Sequence, residues 1–395
     1  MQVSVGPDDG DLRGADDKIL QAGIEYLVRL GGGILKVLPG EFTLRNSIYL
    51  HAQVTLEGSG ETTVLRKASG VTSPFARLSE WFETEVEVED GRGFRVGDGV
   101  MLQWGEKGYP SRDNRQHTVV EVKSNVLTLD RRLGSGIGPE NGAVVSTAFP
   151  LLTASDVQNV RVAHLVLDGS KETNDYIDGN FSGGVFINYC SDFAFENVIV
   201  RNYNGDGISF QVCHDIHFDG CRSENNANFG YHPGSGAQRP IFRNCVAQGN
   251  KRGIFFCRGV HFGLVEKCEC SSNSDVGIYI GDRDTDNRVV DCTIENNQQA
   301  GIVCTDREEA FRGAHRCVLE GNLVRDNGAA GDGVGIDVRG GTHDLEIRGN
   351  RLVDSGAGKQ RIGIRVSDEA ENTKIEVNQF EGMETDCLSL TCAAG

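Results

Sequence analysis

DGISFQVC, residues 206–213, decides the fold because it returns along the chain. GGVFINYC (183–190), FGYHPGSG (229–236), RGIFFCRG (252–259), VGIYIGDR (276–283), AGIVCTDR (300–307), VGIDVRGG (334–341) and IGIRVSDE (362–369) align with it on one glycine column. That column is Gly184, Gly207, Gly230, Gly253, Gly277, Gly301, Gly335 and Gly363, with first steps of 23, 23, 23, 24 and 24 residues and last steps of 34 and 28. A fixed period of this size, with short strands and no helical segment between them, predicts a solenoid. Strands too short to bury a face alone gain a core only by stacking on the next coil.

Within each rung the apolar residues alternate, as a half-buried strand requires. Ile208 and Phe210, Ile254 and Phe256, Ile278 and Ile280, Ile302 and Cys304, and Ile336 and Val338 are expected to point inward. The residues two and four places after each glycine then point out. A second register runs through Phe195-x-x-Val198, Phe218-x-x-Cys221, Phe242-x-x-Cys245, Val265-x-x-Cys268, Val289-x-x-Cys292, Leu319-x-x-Asn322, Ile347-x-x-Asn350 and Ile375-x-x-Asn378. It predicts an internal stack of like side chains, the asparagines bonding above and below. On these features the chain resembles the right-handed parallel β-helix superfamily of pectate lyases, polygalacturonases and alginate epimerases, over most of its length. The resemblance implies an all-β, single-stranded right-handed parallel β-helix and a carbohydrate ligand.

Composition narrows the partners. A formal charge of -18 argues against nucleic acid, and a polyanionic substrate would need a local basic site or bridging cations. No apolar run approaches the roughly 20 residues of a membrane span. The start, MQVSVGPDDG, has no basic region and apolar core, so no signal peptide is expected in this sequence; a trimmed export sequence stays open. Of the 12 cysteines, Cys221, Cys245, Cys268 and Cys292 repeat with the rungs and read as reduced core residues, which leans toward a reducing compartment.

Three segments are expected. Residues 1–78 hold a capping helix, Asp16 to Leu30, with Ile19, Leu20, Ile24, Leu27 and Val28 on its apolar side, and the first coils. Residues 79–148 break the pattern and read as a small inserted β-barrel, with strands at 86–88, 93–100, 118–122 and 126–129. Its loops are expected to carry Trp81, Trp104, Tyr109, Arg112, Arg115 and His117. Residues 149–395 form the regular coil and its closing segment. A polar loop carrying Lys171, Tyr176 and Asp178 precedes the first regular rung, where such folds place binding groups.

The outward column carries the candidate site. Phe186, Phe255 and Tyr279 offer faces for sugar rings, unless a loop covers them. Asp282-Arg283 and Asp306-Arg307 occupy the same place in adjacent rungs, so Asp282 and Asp306 are expected ~5 Å apart, the spacing of a retaining glycosidase's carboxylates. The plainer alternative is a ladder of Asp/Arg ion pairs that includes Glu308 and Glu309. Asn204-Gly205-Asp206-Gly207 followed by Gly230-Tyr231-His232 is similar to the aspartate and glycine-histidine-glycine motifs of polygalacturonases. It lacks their paired aspartates and arginine-isoleucine-lysine triplet. His232 would act as general acid or base and Asp206 would orient it or supply the acid. Arg258 and Arg283 would meet a uronate carboxylate, with Gln211, Phe255, Tyr279, Lys171 and Tyr176 binding the sugar.

These residues predict an enzyme that cleaves a polysaccharide or oligosaccharide, hydrolysis through Asp206, Asp282 and Asp306 being favoured slightly over elimination through His232. A sugar-binding or structural solenoid without turnover and a uronate epimerase are the alternatives. No cofactor is expected beyond a calcium ion that Asp282, Asp284 and Asp286 would bridge to substrate, and self-association is left open.

Overall fold

The computed structural model describes residues 1–105, 116–306, 312–356 and 358–389. In it the aligned segments become strands in parallel register. Val185 lies beside Ile208, then Tyr231, Ile254, Ile278, Ile302, Ile336 and Ile364. Eleven such strands, from Ile48–Tyr49 to Thr385–Ser389, form one wall of the coil. A 22-stranded sheet forms the remainder, and in the regular region it runs as two stacks. One contains Ile241–Arg243, Leu264–Glu266 and Arg288–Val290, and the other Val246–Gln248, Glu269–Ser271 and Thr293–Glu295. Each turn of the coil therefore has three short strands. Together they make a right-handed parallel β-helix.

The inward alternation fills a continuous core in which Ile208, Phe210, Ile254, Phe256, Ile278, Ile280, Ile302 and Cys304 are all buried. Phe195, Phe218 and Phe242 stack at centroid distances of 4.9 and 5.1 Å. At one corner the Cys221, Cys245, Cys268 and Cys292 thiols donate to main-chain carbonyls, and Asn322, Asn350 and Asn378 continue the column.

A second asparagine ladder, unforeseen from the sequence, runs along the corner leading to the eleven-stranded wall. Asn226, Asn250, Asn273, Asn297 and Asn327 each pass a side-chain amide to the next, ending on Gln360. This ladder explains much of the glycine column. A Cβ on Gly207 would meet Asn226 Nδ2 at 2.6 Å, and one on Gly277 would meet Asn297 Nδ2 at 2.7 Å.

The cap is a helix over Asp17–Arg29, its first turn held by the Asp16 carboxylate accepting from Ile19 N at 3.1 Å. It buries Leu20, Gly23, Ile24 and Leu27 against the first strands, whereas Val28 turns outward.

The insertion is an antiparallel six-stranded sheet whose strand order ends are joined by the Phe75–Val88 bridge, which closes it into a barrel with its own apolar centre. It recruits Thr72–Pro74 and Val144–Ser146, so the structure starts it before residue 79. The strand expected at 93–100 begins only at Gly99, because Gly93 and Gly97 adopt positive φ and the buried Asp98 carboxylate gathers Arg45 and Arg95 N. His117 is not in a loop but buried in the strand His117–Lys123. Tyr109, Arg112 and Arg115 lie outside the described residues, as do Arg307, Glu308 and Glu309.

Candidate functional site

The segment 170–182 leaves the coil and returns across the outer face of the eleven-stranded wall. Its base rests on Lys67, a buried lysine that donates to Thr147 O at 2.9 Å and to the Asn174 side chain. Burial pushes the Lys67 ammonium down to about 7, against the pull of Asp175. Thr72 Oγ1 holds Asp175 Oδ2 at 2.5 Å, Ile177 N reaches Asn204 O at 3.0 Å, and Ser209 Oγ donates to Gly179 O at 2.6 Å. The loop is thus pinned along its length, and Gly179 lies on top of Asp206.

Asp206 is fully buried under this loop. Its Oδ1 accepts from Asn228 Nδ2 at 2.7 Å and Phe229 N at 3.1 Å, and its Oδ2 faces His232 Nδ1 at 2.6 Å. A Cβ on Gly179 would stand 1.7 Å from Oδ2, so no substrate atom reaches that carboxylate. Asp206 thus faces His232, Asn228 and the Phe229 amide, not the outside.

His232 is 1% exposed, its ring edge-on to Phe229 and tilted against Phe255. Burial works against its charge, but the Asp206 carboxylate, by charge and hydrogen bond, and the nearby Cys257 thiol outweigh it and raise the imidazole to about 10. Both ring nitrogens then carry protons at neutral pH. Nδ1–H donates to Asp206, while the buried Nε2–H meets no partner at full hydrogen-bonding geometry, with only the Cys257 thiol near the ring, and borders an open cleft. A buried charged donor without a well-aligned acceptor is costly unless one arrives from outside.

That cleft has a volume of about 530 Å³. Tyr176, Asp178 and Asn180 of the crossing loop form one side; Lys251, Arg252 and Arg258 bring three cations to the other. Arg252 pairs with Asp275 at 2.6 Å and lies 4.9 Å over the Phe255 ring and 4.3 Å over Tyr279. Arg258 is half-exposed and reaches Asp282 at 3.2 Å.

Of the residues expected to form the site, His232, Arg258, Phe255 and Tyr176 do line one cleft. The others have different places. Phe255 and Tyr279 do not offer bare faces, because the Arg252 guanidinium covers them. Gln211 is turned into the wall, where its Oε1 accepts from Ser235 N at 2.8 Å. Lys171 donates to Asn225 O and fastens the base of the loop. The Arg283 side chain is exposed outside the cleft.

Asp282 and Asp306 do not form a carboxylate pair. Ala314 N–H donates to Thr305 O and Arg283 N to Arg312 O, so residues 312–314 lie beside this part of the rung. Asp282 lies between Arg312 at 2.8 Å and Arg258 at 3.2 Å. Burial would raise it, but the two guanidiniums hold it below the usual carboxylate range, the reverse of an acid catalyst. Asp306 accepts from Gly341 N at 2.7 Å. Nor do the three aspartates proposed for calcium converge: Asp284 is buried on Val260 N and Gly281 N, and Asp286 pairs with Arg316.

The residues the sequence reading missed are Lys251 and Arg252. Their signal was register: Arg252 stands beside Phe229, one rung above the Asp206 partners.

A sequence model described as right handed beta helix region matches residues 183–352. No curated protein sequence matches. Among solved structures, the chain is similar to the A-module of a mannuronan C-5 epimerase from Azotobacter vinelandii, with a TM-score of 0.64 at 14% identity, covering 98% of this chain and 100% of that one. It is similar to an alginate lyase from Paenibacillus sp., with a TM-score of 0.56 at 12% identity over 96% and 99% of the two chains. A surface adhesin of Streptococcus pneumoniae gives a TM-score of 0.51 at 10% identity over 97% and 92%. Repeat, register and these likenesses show one fold, the right-handed parallel β-helix, with the family model matching residues 183–352 of it.

Proposed function

We propose that the protein acts on a polysaccharide containing uronic acid, by proton transfer beside the sugar carboxylate, as a lyase or an epimerase. The observation that carries this reading is the buried, charged Nε2–H of His232, with no well-aligned acceptor at the edge of a cleft that presents Lys251, Arg252 and Arg258. Three cations suit a substrate carboxylate, whose neutralisation makes the adjacent C–H acidic enough to lose its proton. The Asp178 carboxylate, which lines the cleft, would take the C-5 proton, and His232 Nε2–H would donate to the oxygen that gains charge, the departing glycosidic oxygen in elimination or the carboxylate of the carbanion in epimerisation. Asp206, beneath it, keeps the ring charged and oriented.

Hydrolysis, favoured from the sequence, loses its basis because Asp206, Asp282 and Asp306 each have a fixed partner and no two converge on the cleft. Names of the similar proteins agree with a uronate, although at 14% and 12% identity their likeness speaks for fold. A binding protein without turnover is favoured by one fact, the 1% exposure of His232.

The test is incubation with mannuronate, guluronate and galacturonate polymers in deuterated water. Ultraviolet absorbance of unsaturated ends identifies a lyase. Deuterium at C-5 without chain shortening identifies an epimerase. Reducing ends without either signal would sink the proposal and restore hydrolysis; binding with no chemistry would leave the solenoid reading.

A further inference from the structure

The crossing loop divides the outer face in two, and the proposed chemistry uses only one part. On the other side lies a second cleft of about 510 Å³. Register places it on the same outward column: Tyr49, Thr153, Phe186, Ser209 and His232 are successive neighbours. The loop crosses at Ser209, through Gly179 O, with Asn180 facing the first cleft and Phe181 the second. Phe186 and His232 are two rungs apart, ~10 Å at the spacing of sheet strands.

The second cleft is built where the barrel meets the coil. Tyr49, Phe186, Asn188 and Tyr189 come from the coil, Gln116 and Arg131 from the barrel. The junction is tied by Gln116, which donates to Asn46 at 2.8 Å and accepts from Ser47 at 2.9 Å, and by the Arg45–Asp98 pair at 2.7 Å. The cleft is therefore preformed, which spares a ligand the cost of ordering it. Tyr189 is 58% and Tyr49 37% exposed, an unusual pairing of large rings in a concavity. Asn188 Oδ1 is buried there and finds no donor among the described residues.

We infer that this second cleft holds a neighbouring stretch of the same uronate chain, with sugar rings against Tyr49 and Tyr189, a hydroxyl donating to Asn188 Oδ1, and a carboxylate on Arg131. The barrel is then part of the binding surface, and the enzyme grips its polymer on both sides of the crossing loop. The inference rests on the uronate reading of the first cleft.

Calorimetric titration of the full chain separates the two. The probes are a polyuronate and a short oligouronate that fills one cleft. Tyr189→Ala and Arg131→Ala, both at exposed side chains, are expected to weaken the polymer by about tenfold or more while leaving the short fragment unchanged, because only the linked second contact is lost. Arg258→Ala is expected to weaken both. If Arg258→Ala weakens both ligands and the other two variants change neither, the second cleft is overturned and the first stands. If the parent binds neither ligand, the uronate reading falls and this inference falls with it.

Discussion

Nε2 of His232 is a charged donor at the edge of the cleft with no well-aligned acceptor, and replacing it tests the chemistry directly. His232→Gln keeps a side chain of similar reach but cannot exchange a proton, so turnover should fall by roughly 10²–10⁴-fold. Asp206→Asn should lower the imidazole from about 10 and move the pH profile down with it, measurable by NMR titration of the ring. The same shift links folding to pH. His232 is raised above its unfolded value near 6.5, so its contribution is complete below about pH 6.5 and is lost as pH rises through 10. Lys67 runs the other way: depressed to about 7, it sheds its proton before the unfolded chain does, so stability rises between about 7 and 10.5. The two slopes oppose each other, and His232→Gln should uncover an increase in denaturation midpoint with pH over that window. An unchanged slope would contradict the charge state assigned here. The sequence motif did point to Asp206 and His232. It could not show that Gly179, 27 residues upstream of Asp206, seals the carboxylate, because occlusion depends on a loop whose path no local pattern encodes.

Among the elements, the glycine column and the asparagine ladder are two halves of one fitting. Asn273 receives Asn250 N at 3.0 Å and gives its amide to Asn297 at 2.8 Å. Asn273→Ala should cost about 1–3 kcal/mol in denaturant unfolding, since it strands buried donors in the rung below as well as a main-chain acceptor, Ala247 O. The period was legible from glycine alone, whereas the ladder was not, because Asn226, Asn250 and Asn273 lie in segments that otherwise read as polar turns. For the crossing loop, Gly179→Ala forces a Cβ into Asp206 and should lift the loop, cutting activity more than stability. Comparing its melting curve with its turnover checks this. The capping helix was legible from its apolar period. The barrel's first strand was not, since Thr72–Pro74 carries no alternation and pairs only with the distant Val144–Ser146.

At the scale of the molecule, a net charge of -18 surrounds a cleft carrying three cations. A polyanion approaching from bulk meets repulsion first and attraction only within the cleft. Salt screens the long-range part more than the contact part. Association with a polyuronate should therefore quicken as moderate salt is added, opposite to the usual behaviour of charge-steered binding, and stopped-flow rates at two ionic strengths would show it.

The uneven last steps of the glycine column, 34 and 28 residues, have another consequence. A stack of near-identical coils offers the chain no inherent address: sliding a segment by one whole period would restore every glycine, asparagine and apolar contact except at the ends. The irregular passages, with the Phe195, Phe218 and Phe242 stack, supply the addresses. They tell each coil which neighbour is its own, so the loops that interrupt the repeat also make its folding unambiguous.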